Sequence, residues 1–418
     1  MIESLAFYIA LLLVALIIQP ITDRLRIPFS AALVLLGFGA SEVFVFVGGD
    51  TGLRWELFHD LVFFVFLPVL IFEGAFNADL RDLLRNLPII LFLALPLMLL
   101  SSAATAAILF YGIGHPQGFP WLAALIAGAL LSATDPVAVL ALFKRVGSPE
   151  RLRTIIDGES LFNDATAVVL FTLLVALATG ERESASFGEG TEAFLLIFLG
   201  GALIGALAGG AAMILHLILK QPVARGVLSL TAGYAAFLSA ESLHVSGVIA
   251  ALLSGLILGY AERRAGEKGG LRELQVLWEY KAWIANALLF LISGVSFQLV
   301  MFTDQWLAIL IGIGAVLAAR AVSVFAFIPL LDRIPGINPL PTSWRPVIWW
   351  GGVRGAVTLA LALSLPVTLD YWWTIQSIAY GVVLWTLLVQ AGTMPWLMRG
   401  AGIQTGADDC RSESFPEK

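Results

Sequence analysis

Apolar runs of close to twenty residues, separated by short polar stretches, recur along the whole sequence, and they restrict the fold more than any motif does. A helix needs about 20 apolar residues to cross a bilayer. Within lipid only helices and closed barrels leave no backbone group unpaired. A barrel would show short segments of alternating hydropathy, whereas these runs are continuous. Only 13% of the 418 residues are charged and 59% are hydrophobic, against about 25% charged in a soluble domain. Those figures exclude a soluble enzyme and leave no domain outside the membrane. Roughly thirteen spans are expected, at 5–21, 28–47, 57–76, 88–110, 121–143, 155–178, 193–219, 227–241, 245–260, 282–301, 306–331, 347–365 and 373–397. Residues 1–400 then form one all-α transmembrane domain, and 401–418 a short polar tail.

Basic residues set the expected orientation. Arg24 and Arg26 follow the first span, and Glu3 stands where a cleaved signal peptide would carry basic residues. The first span is therefore expected to remain as a helix, with the N-terminus outside and the following loop in the cytoplasm. On that reading 20 of the 24 Lys and Arg lie inside, the outer loops hold only Arg54 and Arg182, and Arg320 and Arg354 sit within spans. A missed span would invert every later loop, so this alternation tests the count. The tail is cytoplasmic, and its lone Cys410 builds no disulfide framework. Glu181, Glu183, Glu189 and Glu192 read as a solvated outer loop. The stretch Glu262 to Lys281 mixes charges with Leu271, Leu274, Leu277 and Trp278, and reads as an amphipathic helix on the inner membrane surface.

Ionisable side chains inside the spans carry the chemistry. A charge at the bilayer centre costs about 2.5–3.5 kcal/mol on insertion scales, so such groups must meet one another or water. Six recur: Glu73, Asp135, Glu159, Asp164, Arg320 and Arg354. Pairing both arginines leaves two carboxylates over, without metal-binding histidines beside them, which suits a monovalent cation and protons. His59, His115, His216 and His244 stand at span ends or alone and are assigned nothing. At about 100° per residue, Asp157, Ser160 and Asp164 share one face of the sixth span, while Glu159 lies roughly 140° from Asp164. Asp164 and Ser160 can thus share a site, and Glu159 needs another partner, for which Arg320 is expected. Asp157 reads as a helix-start residue.

Two spans should be broken. Pro136 lacks an N–H and pushes Asp135 away from helical angles, so the fifth span breaks at Ser132-Ala133-Thr134-Asp135-Pro136. Asp135 can cap the second half-helix, a role that does not exclude a part in an ion site. The twelfth span breaks at Gly351-Gly352-Val353-Arg354-Gly355, where close helix packing would explain the glycines but not a buried arginine. Arg354 there can neutralise the carbonyl ends of the half-helices. These spans cross in opposite directions, as an inverted repeat requires. Glu73 follows Leu67-Pro68-Val69-Leu70-Ile71-Phe72, with Asn77 on the same face, and either binds the ion or ties helices together.

Ser-Ala-Thr134-Asp135-Pro136-Val-Ala-Val, Gly158-Glu159-Ser160-Leu-Phe-Asn163-Asp164 and Gly-Gly-Val-Arg354-Gly-Ala-Val closely resemble the motifs of the NhaP/NHE-type sodium/proton antiporters. Leu-Pro68-Val-Leu-Ile-Phe-Glu73-Gly-Ala-Phe-Asn77 and Ala-Arg320-Ala match as well, in the family's order and over nearly the whole chain. The resemblance implies a thirteen-helix fold with an inverted repeat and two crossed broken helices. It further implies a homodimer in the lipid of the cell membrane, with a core domain moving against dimerisation helices. Asp164 would be the main ion and proton carrier, assisted by Asp135, Ser160, Glu73, the Thr134 carbonyl and Asn163. Glu159 with Arg320 would be the structural ion pair.

The implied activity is secondary active exchange of sodium for protons by alternating access, with the two competing for Asp164. No cofactor and no nucleic-acid partner are expected; lithium and potassium are alternative cargoes. Asn163, an amide, cannot exchange a proton at physiological pH, so the exchange is expected to be electroneutral. Potassium/proton exchange is the nearest rival. A cation channel is disfavoured by the two arginines and the broken helices. An intramembrane aspartyl protease using Asp135 and Asp164 lacks the Gly-x-Gly-Asp segment, and a metalloprotease would need His-Glu-x-x-His.

Overall fold

In a computed structural model the apolar runs form helices, the one arrangement that satisfies their backbone without neighbouring strands. The structure describes residues 2–25, 27–46, 60–113, 118–137, 139–140, 143, 147–181, 186–219, 221–265, 270–331, 333 and 337–403. The expected loop at Arg54, the residues Arg26 and Arg182, and the tail with Cys410 lie outside those residues. In order come α1 (Ile2–Leu25), α2 (Phe29–Phe46), α3 (Val62–Asn77), α4 (Leu80–Gly112) and α5 (Trp121–Leu130). After them come α6 (Glu150–Ala178), α7 (Phe187–Ile218), α8 (Pro222–Ser242), α9 (Gly247–Ala265) and α10 (Leu271–Ser296). The short helix Leu299–Asp304 leads into α11 (Trp306–Leu331), α12 (Arg345–Trp350), α13 (Ala356–Leu363) and α14 (Trp372–Gly400). Among the described residues there is no strand.

The helices pack as two sets. Helices α1–α3 gather with α7–α10, and α4–α6 with α11–α14. The second set contains two units of like order: a long helix, a broken helix and another long helix, first in α4–α6 and again in α11–α14. The outer face of α7 carries Leu196, Leu199, Leu203, Leu207 and Ile214, each more than half exposed, at the three- and four-residue spacing of a helix stripe. That face needs an apolar surrounding, as lipid provides.

The sequence places most helices within a few residues of their ends, with three informative exceptions. Helix α4 starts eight residues before the expected span, because Asp79 caps it by accepting the backbone N–H groups of Arg81 and Asp82. Helix α6 starts at Glu150, so Asp157 is an exposed residue inside a helix and not a helix start. The expected amphipathic surface helix between Glu262 and Lys281 is not a separate element. Residues to Ala265 finish α9, and Leu271 begins a helix that continues unbroken to Ser296. Arg264, Arg272, Glu273 and Glu279 are exposed at the ends of two long helices, while Glu262, Leu274 and Trp278 turn inward and are buried.

Among the described residues four helices contain a π turn, at Val62–Phe66, Leu93–Leu97, Ser323–Phe327 and Thr386–Gln390. The wider turn displaces one residue from the regular ladder and is frequent at functional sites. Three of the four adjoin the broken helices described next.

Candidate ion site

Both predicted breaks are present, and they cross. Chain leaves α5 at Leu130, is non-helical over Ala133–Pro136, and is helical again at Val137, Val139, Leu140 and Phe143. The second break runs from Gly351 to Gly355 between α12 and α13. At the crossing the Asp135 N–H donates to the Val353 carbonyl at 2.7 Å. The Asp135 side chain holds two helix N-termini. Oδ1 accepts the Val137 N–H at 3.0 Å and Oδ2 accepts the Ala356 N–H at 3.1 Å. These are the groups a helix start leaves unpaired. A side chain so engaged is poorly placed to serve as half of an aspartyl protease dyad.

The opposite helix ends are met by a cation. Arg354, only 2% exposed, donates from Nη1 to the carbonyls of Ser132 at 3.0 Å and Ala133 at 3.2 Å. Carbonyls at a helix C-terminus carry partial negative charge, which a guanidinium offsets. Thr386 accepts the Arg354 backbone N–H at 3.1 Å, and the Thr358 hydroxyl donates to the Ala133 carbonyl at 3.3 Å. Two glycines permit this crossing. A Cβ on Gly355 would lie 2.0 Å from Asp135 Oδ2, and one on Gly352 would lie 2.4 Å from Arg320 Cδ. The glycine-rich break is therefore a place where backbone passes against two charged side chains, which close packing of plain helices would not require.

Helix α6 lays its polar residues against the first break. The Ser160 hydroxyl donates to the Thr134 carbonyl, and Asn163 Nδ2 donates to the Ser132 carbonyl at 2.9 Å and to Thr134 Oγ1 at 3.1 Å. Asp164 is half-buried beside them, facing the Thr134 backbone N–H, with Asp135, Glu159 and Arg354 as charged neighbours. Its Oδ1 is buried and accepts no hydrogen bond. A buried carboxylate oxygen left without a donor is a costly arrangement that calls for a proton or a cation.

Glu159 turns the other way, as its helix position requires. Arg320 Nη1 and Nη2 reach Glu159 Oε1 and Oε2 at 2.9 Å each, a two-point contact. Arg320 also donates to the Ile348 carbonyl, from Nε at 3.2 Å and Nη2 at 3.1 Å, near the end of α12.

Of the residues predicted for the site, the structure therefore gathers Thr134, Asp135, Ser160, Asn163, Asp164 and Arg354, with Glu159 and Arg320 paired beside them. Glu73, on α3, accepts Asn77 Nδ2 at 2.6 Å. Its helix touches α6, where Gly74 packs beside the Leu161 side chain. Thr358 and Thr386 were not foreseen. Each is one hydroxyl in an apolar run, a signal too weak to separate from hydroxyls that bond back to their own helix. His216 was also passed over, yet its Nδ1 lies 2.7 Å from Glu262 Oε1, both side chains being buried and Arg225 standing 3.6 Å from the same carboxylate.

Comparison with known proteins gives the family and the fold. The family described as "Sodium/hydrogen exchanger, transmembrane" matches residues 9–400. The low-affinity Na+/H+ antiporter NhaS1 of a Synechocystis species is 34% identical over 380 residues, covering 90% of this chain and 70% of its own. The Na+/H+ antiporter ApNhaP of Aphanothece halophytica is 36% identical over 383 residues, with the same coverage. The sodium proton antiporter MjNhaP1 of Methanocaldococcus jannaschii, solved at pH 8, superposes with a TM-score of 0.79 over 95% of this chain and 98% of its own. At 19% identity that likeness establishes the shared antiporter fold. The chain belongs to the transmembrane sodium/hydrogen exchanger family, whose members are multi-pass secondary transporters and not enzymes.

Proposed function

We propose that this protein exchanges sodium for protons, and that Asp164 is the residue both compete for. The observation that carries this reading is the buried, unpartnered Asp164 Oδ1 beside an unwound segment whose carbonyls and hydroxyls face α6. Oxygen donors of this kind suit a hard, weakly bound cation. Among the described residues no group of three His, Cys, Asp or Glu could hold a transition metal instead. A carboxylate that binds sodium must release its proton, and one that is protonated releases sodium. If the protein exchanges the side it exposes only when Asp164 is occupied, either gradient drives the other ion uphill. Ser160, the Thr134 carbonyl and Asn163 shape the site. Asp135 contributes negative charge from the crossing, and Glu73 contributes from the neighbouring helix.

The two packed sets support a division of labour, with α4–α6 and α11–α14 as the moving core and α1–α3 with α7–α10 as the dimerisation helices of a homodimer. We place residues 1–400 in this transmembrane unit and 401–418 in a cytoplasmic tail, with the N-terminus outside the cell membrane.

Electroneutral exchange follows from the neighbours of Asp164. The Asn163 amide has no proton to exchange and gives both its N–H groups to the first break. Glu159 is held by a guanidinium at two points. One carboxylate then cycles, one proton leaves for each sodium bound, and no net charge crosses. The test uses purified protein in proteoliposomes. Sodium-driven proton flux should vanish in Asp164→Asn, and a potassium–valinomycin potential should not drive sodium uptake in the wild type. A charge moved per cycle would couple to voltage by about 2.3 kcal/mol per 100 mV, so the cases separate cleanly. Flux retained in Asp164→Asn would overturn the carrier assignment; sodium uptake that follows voltage would overturn the stoichiometry. Adding sodium, lithium and potassium in turn orders the cations.

A further inference from the structure

Helix α6 has a second polar face. Glu159 and Asn163 lie about 40° apart around it, and Asn163 stands roughly 100° from Asp164. Asn163 gives its N–H groups to the first break, but its Oδ1 and Glu159 are not among those contacts. This second face lines a small cavity, bordered by the π turns of α4 and α11 and by Arg354. The cavity is polar where a core would be apolar: Ser101, Ser132 and Ser323 line it together with the Glu159–Arg320 pair.

Two polar atoms of its lining residues are buried without a hydrogen-bond partner, Asn163 Oδ1 and Arg354 Nε. The amide orientation is fixed by its surroundings, because turning it over would set Oδ1 against the Ser132 carbonyl that Nδ2 now meets at 2.9 Å. Asn163 therefore offers an acceptor and Arg354 a donor. A cation would face two guanidinium groups, and an anion would face the amide oxygen and the Glu159 carboxylate. An apolar filling would strand both atoms. What fits is a small neutral molecule that both donates and accepts.

We propose that this cavity is a built water site, in which water donates to Asn163 Oδ1 and accepts from Arg354 Nε. Buried water of this sort makes about three hydrogen bonds to groups that otherwise have none. Asn163 and Arg354 also share a task, since both donate to the Ser132 carbonyl, at 2.9 Å and 3.0 Å. The water closes this into a ring, so the end of the first broken helix is held by two side chains that brace each other. Asn163 becomes a positioning residue for the unwound segment that carries Thr134. The inference is independent of which ion Asp164 carries.

Radiolytic hydroxyl labelling tests it, because buried methionines are oxidised rapidly only when water lies beside them. Met98 lines the cavity and is 3% exposed, whereas Met301 and Met398, at 1% and 0%, do not line it. Brief X-ray exposure of wild-type protein in nanodiscs, read by mass spectrometry, should oxidise Met98 several times faster than Met301 and Met398. Equal rates at the three positions overturn the proposal, whatever any variant does. Ser101→Leu fills the cavity from a position outside the ion site. In a folded Ser101→Leu protein, Met98 oxidation should fall to the rate of Met301; an unchanged rate would mean water reaches Met98 by another route and would overturn the site.

Discussion

Removing either partner of the Glu159–Arg320 pair should destabilise the protein unequally, and the inequality can be worked from the contacts. Both side chains are largely buried, Glu159 at 4% and Arg320 at 12% side-chain exposure. Breaking a buried pair costs about 3–5 kcal/mol, chiefly because the remaining charge is stranded. Glu159→Ala strands Arg320, but that guanidinium keeps the Ile348 carbonyl and faces a polar cavity. Arg320→Ala strands Glu159, which accepts no other hydrogen bond among the described contacts and keeps only the charge of Arg354 nearby. It also strips the Ile348 carbonyl near the end of α12, adding about 1–3 kcal/mol for an unpaired buried group. The order of loss should therefore be Arg320→Ala greatest, Glu159→Ala less. The double substitution should fall below Arg320→Ala alone, since the stranded carboxylate has gone while the bare carbonyl remains. Apparent melting temperatures in detergent, followed by size-exclusion recovery after heating, give this order directly. If the double variant loses the sum of the two single losses, the residues do not act as a pair and the argument fails.

Gly355→Ala should abolish exchange, because its Cβ would need the space of Asp135 Oδ2 at 2.0 Å, while Gly314→Ala, with nothing within 4 Å, should leave it intact. Proteoliposome flux on folded protein checks both, and an active Gly355→Ala protein would contradict the crossing geometry. Thr386→Val keeps shape but strips the acceptor of the Arg354 N–H, a loss of about 1–3 kcal/mol, whereas Thr386→Ser should restore it. Thermal stability in detergent separates the two, and equal values for valine and serine would remove Thr386 from the support of the break.

Much of the architecture was legible because the membrane simplifies the problem. With no water to satisfy a backbone, an apolar run of twenty residues has one outcome, and its ends are marked by charge. The misjudged ends are those where polar residues continue a helix beyond the apolar run. Asp79 caps α4 well before its apolar part begins, and the charged turns after Gly270 are the start of α10. Hydropathy measures what lipid requires of a segment. It does not register a helix that goes on into a polar setting because a cap or a buried Trp278 holds it.

The candidate site divides along a similar line. A buried charge announces itself in a sequence, so Asp164, Arg354 and the Glu159–Arg320 pair could be named, and helix angles alone sent Glu159 and Asp164 to different faces. Which oxygen is free could not be read. Asp135 and Asp164 look alike as letters, yet the first spends both oxygens on the N-termini of two half-helices while the second keeps Oδ1 bare. That difference arises only when two breaks separated by more than 200 residues cross, with Gly355 bringing one backbone against the Asp135 carboxylate. The crossing separates the two: the carboxylate that closes it is engaged at both oxygens, and the carboxylate one helix away keeps one oxygen bare, as the proposed carrier must.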